Sequence, residues 1–291
     1  MRLIFATEYP RQALPGEAMA ALAELVKDAS GSDLTVESHY ESNQALFAAG
    51  APALGGTVFG ASLLQHAKEF ELAAIPRGEK GHASEQDVKR FQRIFDDCLR
   101  REGFRLLAIV PMPPTGVWSS REIDSATSLV GLRIRSYDAL SCEVFSSIGC
   151  AATNLPFFRL RAALEAGEFD AALSSGDGAA GDLLASHFGH YLPVAYSTPL
   201  CFLIVQDVSF RALSMRGQRT LKWAGREVQF QYWTRQTGRE EKNLRAIQDR
   251  GIRVSRSLPG DVMELLEKKM ELVRRRLIAE HALADVLVPI A

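Results

Sequence analysis

The sequence predicts an α/β protein of two lobes, each built on a mixed, mainly parallel sheet flanked by helices. Three observations support this prediction. The 291 residues are 47% hydrophobic, and a chain of this length tends to divide its core between two domains. Strand-like and helix-like segments alternate from the first residues onward, as in βαβ units. A Pro- and Gly-rich stretch at residues 111–116 separates two such series and indicates a crossing between lobes.

The first series opens with a βαβ unit, which implies parallel strands and a right-handed crossover. Its helix carries Met19, Leu22 and Val26 on one face, and its second strand alternates apolar and polar residues. Ser84 and Asp87 resemble a capping box at the start of a later helix. The predicted elements are strands at 2–7, 34–40, 57–59 and 104–110, and helices at 16–29, at 44–49 and from Ser84 to Gly103.

The second series begins after the Pro- and Gly-rich stretch. Its predicted elements are strands at 131–136, 151–155, 169–173, 192–196, 199–206 and 252–255, helices at 139–148 and 158–166, a helical region at 211–250 and a long C-terminal helix from Leu258. The expected lobes are 1–115 with about 207–252 (lobe I) and 116–206 with about 253–291 (lobe II), with hinge crossings near 111–118 and 197–206.

Charge and composition exclude several functional classes. The formal net charge is -1, so no overall basic field indicates nucleic acid or anionic lipid as a partner. No apolar run is long enough to span a membrane, and the strand-like N-terminus does not read as a secretory signal. We therefore expect a soluble chain, either cytoplasmic or exported with its leader removed. The four cysteines form no metal pattern, Cys98 is expected to be a buried thiol, and no cofactor or metal is predicted.

Two segments predict a binding site for a carboxylate. Residues 131–135 form a compact strand that ends in Arg135, and residues 167–177 lead through a helix end and a strand into a loop that contains Ser174 and Ser175. Ligands of open α/β sheets gather at the carboxyl ends of strands. Because the arginine fork matches a carboxylate bidentately, Arg135 is the predicted clamp, with the two hydroxyls beside it.

These residues also resemble a known family. Residues 128–135 (SLVGLRIR) are similar to the "DLKGLKIR" segment, and residues 164–171 (LEAGEFDA) to the "LQTGVVDG" segment, of substrate-binding proteins of tripartite ATP-independent periplasmic (TRAP) transporters. The resemblance implies a two-lobed periplasmic binding protein fold with a long C-terminal helix and hinge closure on the ligand. It implies a periplasmic monomer that hands a small organic acid to the membrane subunits of a TRAP permease. Arg135 would clamp the carboxylate, and Phe157 would pack against the ligand body.

Further candidates follow from position along the chain. Asp177 ends the loop after the strand at 169–173, where it could orient Arg135 or accept a ligand hydroxyl, and Glu8 and Tyr9 follow the first strand, where a polar group would meet the ligand from lobe I. Trp118 is expected either to stack on the ligand or to pack at the hinge, and Tyr196 is a weaker candidate. Trp223 and Trp233 are expected in the core.

The sequence departs from the family pattern at two positions. The family often has Asn where Ser174 stands, and a second family arginine falls on Thr115 by ungapped counting. The carboxylate clamp is therefore kept, whereas the contacts that choose the rest of the ligand differ.

Two other classes of protein compete with a transport receptor. Ser174, Ser175, Asp177, Asp182, His187 and His190 offer the groups of a hydrolase close together in sequence. No GxSxG nucleophile elbow or P-loop is present, so we predict that the chain is not an enzyme. An effector-sensing domain of a transcription regulator shares this build, but no DNA-binding helix-turn-helix segment is recognisable.

Overall fold

The computed structural model describes residues 1–31, 33–42, 46–47, 50–78 and 85–281. The chain divides into two compact units. Unit 1 contains Met1–Ala73, Ser84–Met112 and Leu200–Gln236, and unit 2 contains Ala74–Ala83, Pro113–Pro199 and Thr237–Ala291.

Unit 1 is a five-stranded sheet covered by helices. Its strands are β1 (Arg2–Ala6), β2 (Thr35–His39), β3 (Gly55–Phe59), β4 (Phe104–Pro111) and, from a distant part of the chain, β10 (Leu200–Gln206). Its helices are α1 (Leu14–Ser30), α2 (Glu85–Arg101), α6 (Asp207–Arg211) and α7 (Met215–Thr234).

The strand order of this sheet is β2-β1-β3-β10-β4. Strands β2 and β3 run parallel to β1, whereas β10 is antiparallel to both of its neighbours. One face packs on α1 and α7 through apolar side chains such as Met19, Leu203 and Val228. On the other face Phe202 of β10 meets Phe95 of α2 edge-on, with 5.0 Å between ring centroids. Both faces are therefore buried, which explains why β4 and β10 are almost continuously apolar.

Unit 2 is a six-stranded sheet with shorter strands. Its strands are β5 (Gly116–Ser119), β6 (Arg133–Ser136), β7 (Ala151–Asn154), β8 (Ala171–Ser174), β9 (His190–Leu192) and β11 (Arg253–Val254). Its helices are α3 (Ala139–Ser147), α4 (Phe157–Glu165), α5 (Ala179–Ala185), α8 (Gln236–Asp249) and α9 (Gly260–Glu280).

The order in this sheet is β11-β9-β5-β8-β6-β7. Strand β6 is parallel to β7 and β8, so these three strands end at the same edge. Asp138 caps the helix that follows β6, since its Oδ1 accepts a hydrogen bond from the Ser141 backbone N–H at 2.7 Å. The predicted α/β architecture of two mixed sheets and a long C-terminal helix is confirmed.

Three assignments differ from the sequence-based expectation. Strand β10 lies inside the sheet of unit 1, because its backbone pairs with both β3 and β4. Helix α8 packs on unit 2 through Ile247, although residues 237–252 were expected in the other lobe. The strand expected at 192–196 is instead β9, at His190–Leu192. The helix expected at 44–49 and the capping box of Ser84 and Asp87 lie outside the described residues.

The expectation of two core tryptophans on α7 is correct for one of them. Trp233 is buried and its Nε1 donates to the Ile109 carbonyl at 2.9 Å. Trp223 is 46% exposed, because each residue turns the helix by about 100° and the two rings face different sides. Cys98 is a buried free thiol, as expected. Over the described part of the chain, no helix has the length and apolar character needed to cross a membrane.

Candidate functional site

Arg135 lies at the edge of the unit 2 sheet where three parallel strands end. It is the third residue of β6, opposite Thr153 of β7 and Ala172 of β8, and only 3% of it is exposed. Its Nε donates to the carbonyl of Leu155 at 2.7 Å, and its Nη1 donates to the carbonyl of Leu173 at 3.2 Å. These two bonds, to carbonyls beside β7 and in β8, fix the plane of the guanidinium.

A buried polar cluster follows Arg135 along the chain. The Tyr137 hydroxyl hydrogen-bonds the Ser197 hydroxyl at 2.6 Å and lies 3.4 Å from Oγ1 of Thr115. Burial, and then the neighbouring Asp138 carboxylate, raise the pKa of Tyr137 well above its usual value, so the phenol stays neutral. Thr115, where the family often has arginine, is thus part of a hydroxyl network. Sequence reasoning did not find this cluster, although Asp138 before an apolar run is a recognisable helix cap.

Hydrogen bonds between its serine hydroxyls and its backbone N–H groups stabilise the loop after β8. The Ser174 Oγ accepts a hydrogen bond from the Gly176 N–H at 3.1 Å, and the Ser175 Oγ accepts one from the Asp177 N–H at 3.4 Å. The amide of Asn243 on α8 donates to the Ser175 carbonyl at 2.7 Å. These contacts give both serines a turn-forming role, and ligand contact by either serine stays a prediction.

Asp177 forms an ion pair with a residue of α8 that the sequence did not indicate. Its carboxylate forms an ion pair with Arg239 of α8, with 3.2 Å from Nε to Oδ1 and 2.7 Å from Nη2 to Oδ2. The carboxylate side chain is 9% exposed. This ion pair links the β8 loop to α8, and the roles expected of Asp177, to orient Arg135 or to accept a ligand hydroxyl, stay predictions. Arg239 was missed because its partner is 62 residues away and leaves no local pattern.

The indole of Trp118 packs directly against Gly176 of the same loop. It is fully buried in β5, with its ring 5.2 Å from that of Tyr191. A Cβ added at Gly176 would lie 2.2 Å from Cζ2 of Trp118, and Gly176 has φ +68°. Only glycine fits there, because its backbone is left-handed and its Cα approaches the indole closely. The structure places Trp118 in the core, and its contact with a ligand stays a prediction.

The remaining candidates belong to both units. Phe157 is the first residue of α4 and is half-buried against the apolar core of unit 2. Tyr196 is fully buried, with its ring 5.8 Å from that of Phe145, and its hydroxyl has no hydrogen-bond partner within the described residues. Glu8 and Tyr9 both lie in unit 1. Glu8 is exposed overall, but desolvation of its carboxyl by the surrounding protein raises its pKa. Tyr9 is buried.

The acidic and imidazole groups considered for a hydrolase each contact a different partner. Asp182 pairs with Arg250 at 2.8 Å, and Nε2 of His190 lies 3.0 Å from Nη2 of Arg253. Nδ1 of His187 contacts its neighbour Ser186 and the carbonyl of Leu183. No hydrogen bond between the described residues joins the hydroxyls of the β8 loop to either imidazole.

The fold of this chain is shared by solved extracytoplasmic solute receptors. The structure of DctP7 of Bordetella pertussis, an extracytoplasmic solute receptor binding pyroglutamic acid, matches with TM-score 0.87 at 18% identity, over 96% of this chain and 95% of that one. A TRAP periplasmic solute binding protein from Pseudomonas aeruginosa PAO1 with bound L-malate matches with TM-score 0.83 at 15% identity, over 95% and 99% of the chains. One from Sulfitobacter sp. NAS-14.1 with bound β-D-galacturonate matches with TM-score 0.81 at 14% identity, over 98% of both.

The sequence of the chain shows the family to which it belongs. Residues 67–279 match the model of the DctP family, described as bacterial extracellular solute-binding protein, family 7. The chain belongs to this family, which comprises solute receptors of TRAP transporters, as its resemblance to them indicated. Comparison with curated proteins found no match.

Proposed function

We propose that this protein is a periplasmic receptor that captures a small organic acid through Arg135 and delivers it, as a monomer, to a TRAP-type permease. The observation that carries the proposal is the guanidinium of Arg135, buried at the strand ends and oriented by the carbonyls of Leu155 and Leu173. Pyroglutamate, malate and galacturonate, which the similar receptors bind, each carry a carboxylate. A fixed guanidinium is the side chain best suited to that shared group.

The role of the other residues follows from their place around the β6 and β8 ends. In this proposal the Arg135 guanidinium receives the ligand carboxylate, and Phe157, half-buried at the start of α4, packs against the ligand body. The ion pair of Asp177 with Arg239 holds the loop that carries Ser174 in place. A carboxylate taken out of water is stable only while it is paired, so removal of the partner costs about 3–5 kcal/mol.

The test is binding of matched acids and neutral compounds. Purified protein is screened by thermal shift and then calorimetry with pyroglutamate, L-malate and D-galacturonate, and with D-galactose as the neutral counterpart of the last. A ligand at about one hundred times its Kd adds about 2.7 kcal/mol to folded stability. At least one acid should raise the melting temperature and the neutral sugar should not. Stabilisation by the neutral sugar together with none by any acid would contradict the proposal.

Variants of strand β6 assign the effect to Arg135. Arg135→Gln should abolish measurable binding of that acid, whereas Arg133→Gln, an exposed neighbour two residues earlier, should bind like the wild type. Since Arg135 also satisfies two buried carbonyls, its loss leaves acceptors unpaired and lowers stability. Arg135→Lys, which keeps the charge but not the fork, provides a milder second variant. Wild-type affinity in either Arg135 variant would disprove the clamp.

A further inference from the structure

A basic cavity lies wholly within unit 1, whereas Arg135 belongs to unit 2. Its volume is about 420 Å³, within the range of small-molecule sites. Helix α2, the start of β4, α6 and α7 form its walls. Its charged lining consists of Lys89, Arg93, Arg100, Arg105, Lys222 and one acid, Asp96. The cavity is therefore strongly positive although the whole chain has a formal net charge of -1.

Ion pairs inside the protein neutralise only part of this charge. Lys89 pairs with Glu85 at 3.2 Å, Arg100 pairs with Asp96 at 2.8 Å, and Arg105 pairs with an aspartate of α6, Asp207. Arg93 and Lys222 form no ion pair with a described residue. Counted over the described residues, the five cations of the lining exceed the three carboxylates that pair with them by two.

The floor of the cavity holds two of the cations in place. Phe210 is 2% exposed, and its ring forms part of the cavity wall. The guanidinium carbon of Arg105 lies 4.7 Å and the Lys222 Nζ lies 5.4 Å from the centroid of this ring. Cation–π attraction to a ring anchored in the core restricts both side chains. Arg105 and Lys222 are thus held over the ring, although Lys222, like Arg93, is exposed to solvent.

We propose that this cavity is a second ligand site, which binds a phosphoryl oxyanion carrying more than one negative charge or presented by a lipid head group. Arginine forks and lysine ammonium groups are the side chains that recognise phosphate oxygens. Two surplus cations match a multivalent anion better than a single carboxylate. The apolar floor of Phe210, Leu106 and Leu107 accommodates the uncharged part of such a ligand. The site does not depend on the proposed organic-acid function, because none of its residues lies in unit 2.

The experiment uses two probes, since the same chemistry has two sources. Inorganic pyrophosphate is titrated into the protein by calorimetry at low ionic strength, and flotation is measured with phosphatidylcholine vesicles with and without phosphatidylglycerol. We expect the protein to bind at least one probe and to release it as salt screens the charges. Pyrophosphate binding identifies a free phosphate compound as the ligand, and binding only to the phosphatidylglycerol vesicles identifies a head group.

Two double variants with the same change in net charge decide whether the cavity is responsible. R93Q/K222Q removes the two surplus cations and should weaken binding by about tenfold or more, given the strength of charge-assisted hydrogen bonds. R219Q/R226Q removes two exposed arginines of α7 that are not part of the cavity lining, and should bind like the wild type. Equal weakening in both variants, or no binding of either probe by the wild type, overturns the proposal.

Discussion

Arg239 on α8 holds Asp177, in the loop between β8 and α5, in a two-point ion pair with a shorter distance of 2.7 Å. The two residues are 62 positions apart in the chain. The pair therefore fastens a helix from the C-terminal part of the chain to the strand edge at which Arg135 lies. Its partly buried position, with side chains 24% and 9% exposed, makes it stronger than an ordinary surface pair.

Breaking this pair should destabilise the protein and loosen the loop. For Arg239→Gln we expect a loss of about 2 kcal/mol in the free energy of unfolding, between the values for exposed and fully buried pairs. Urea unfolding followed by fluorescence measures it. Arg245→Gln, on the same helix with an exposed partner at i-4, Glu241, is the matched control and should change stability by less than about 0.5 kcal/mol. Equal losses in the two variants would show that the loop does not depend on the ion pair.

Gly176→Ala should be among the more damaging single changes in unit 2. The new Cβ would come within 2.2 Å of the Trp118 ring, and φ is +68°. Left-handed strain and overpacking together predict a loss of about 2–4 kcal/mol, measured as a shift of the urea midpoint. Gly189→Ala is the control, because its Cβ would meet nothing within 4 Å and its backbone is not left-handed. A variant at Gly176 with wild-type stability would mean that the indole can move aside.

The ion pair of Asp170 with Arg133 predicts a dependence of stability on pH. Hydrogen bonding from Arg133 is the main cause that lowers the pKa of Asp170. A carboxylate with a lowered folded-state pKa stabilises the protein above its unfolded pKa of about 3.9, and this contribution is lost as pH falls through the folded value.

Melting temperatures measured at a series of pH values test this dependence. Asp170→Asn should melt below the wild type at neutral pH, and the two curves should converge in strong acid. Glu165→Gln, at an exposed carboxylate with no ion pair to a described residue, should show no comparable gap. A difference for Asp170→Asn that is the same at every pH would count against the ion pair as its cause.

In the folded protein, the thiol of Cys150 should be alkylated more slowly than that of Cys142. Burial raises the pKa of Cys150 to about 12, which leaves roughly one thiolate in ten thousand at pH 8. Cys142 is only half-buried. Timed alkylation with iodoacetamide followed by peptide mass spectrometry should therefore label Cys142 first, and labelling in urea should remove the difference. Equal rates in the native protein would contradict the burial of Cys150.

Helices and strands that follow a local hydrophobic pattern could be predicted from the sequence. The position of Arg135 near the end of a strand could be predicted as well. The apolar stripes indicated most helices, the βαβ order indicated most strands, and a strand that carries arginine near its end placed that residue at a sheet edge. The partner of Asp177 was not predictable, because a contact between α8 and a distant loop produces no periodicity. The same reason explains why α8 was expected in the other lobe and why Trp223 was expected in the core.

The position of β10 has a consequence for biosynthesis. The sheet of unit 1 cannot close until Leu200–Gln206 has been made and inserted between β3 and β4, and unit 2 needs α9 near the end of the chain. When the ribosome has translated half of the message, neither unit can finish folding, because β10 and α9 have not yet been synthesised. Pairing between segments so distant in sequence is also slow. Completion of both sheets is therefore postponed until most of the chain has been synthesised.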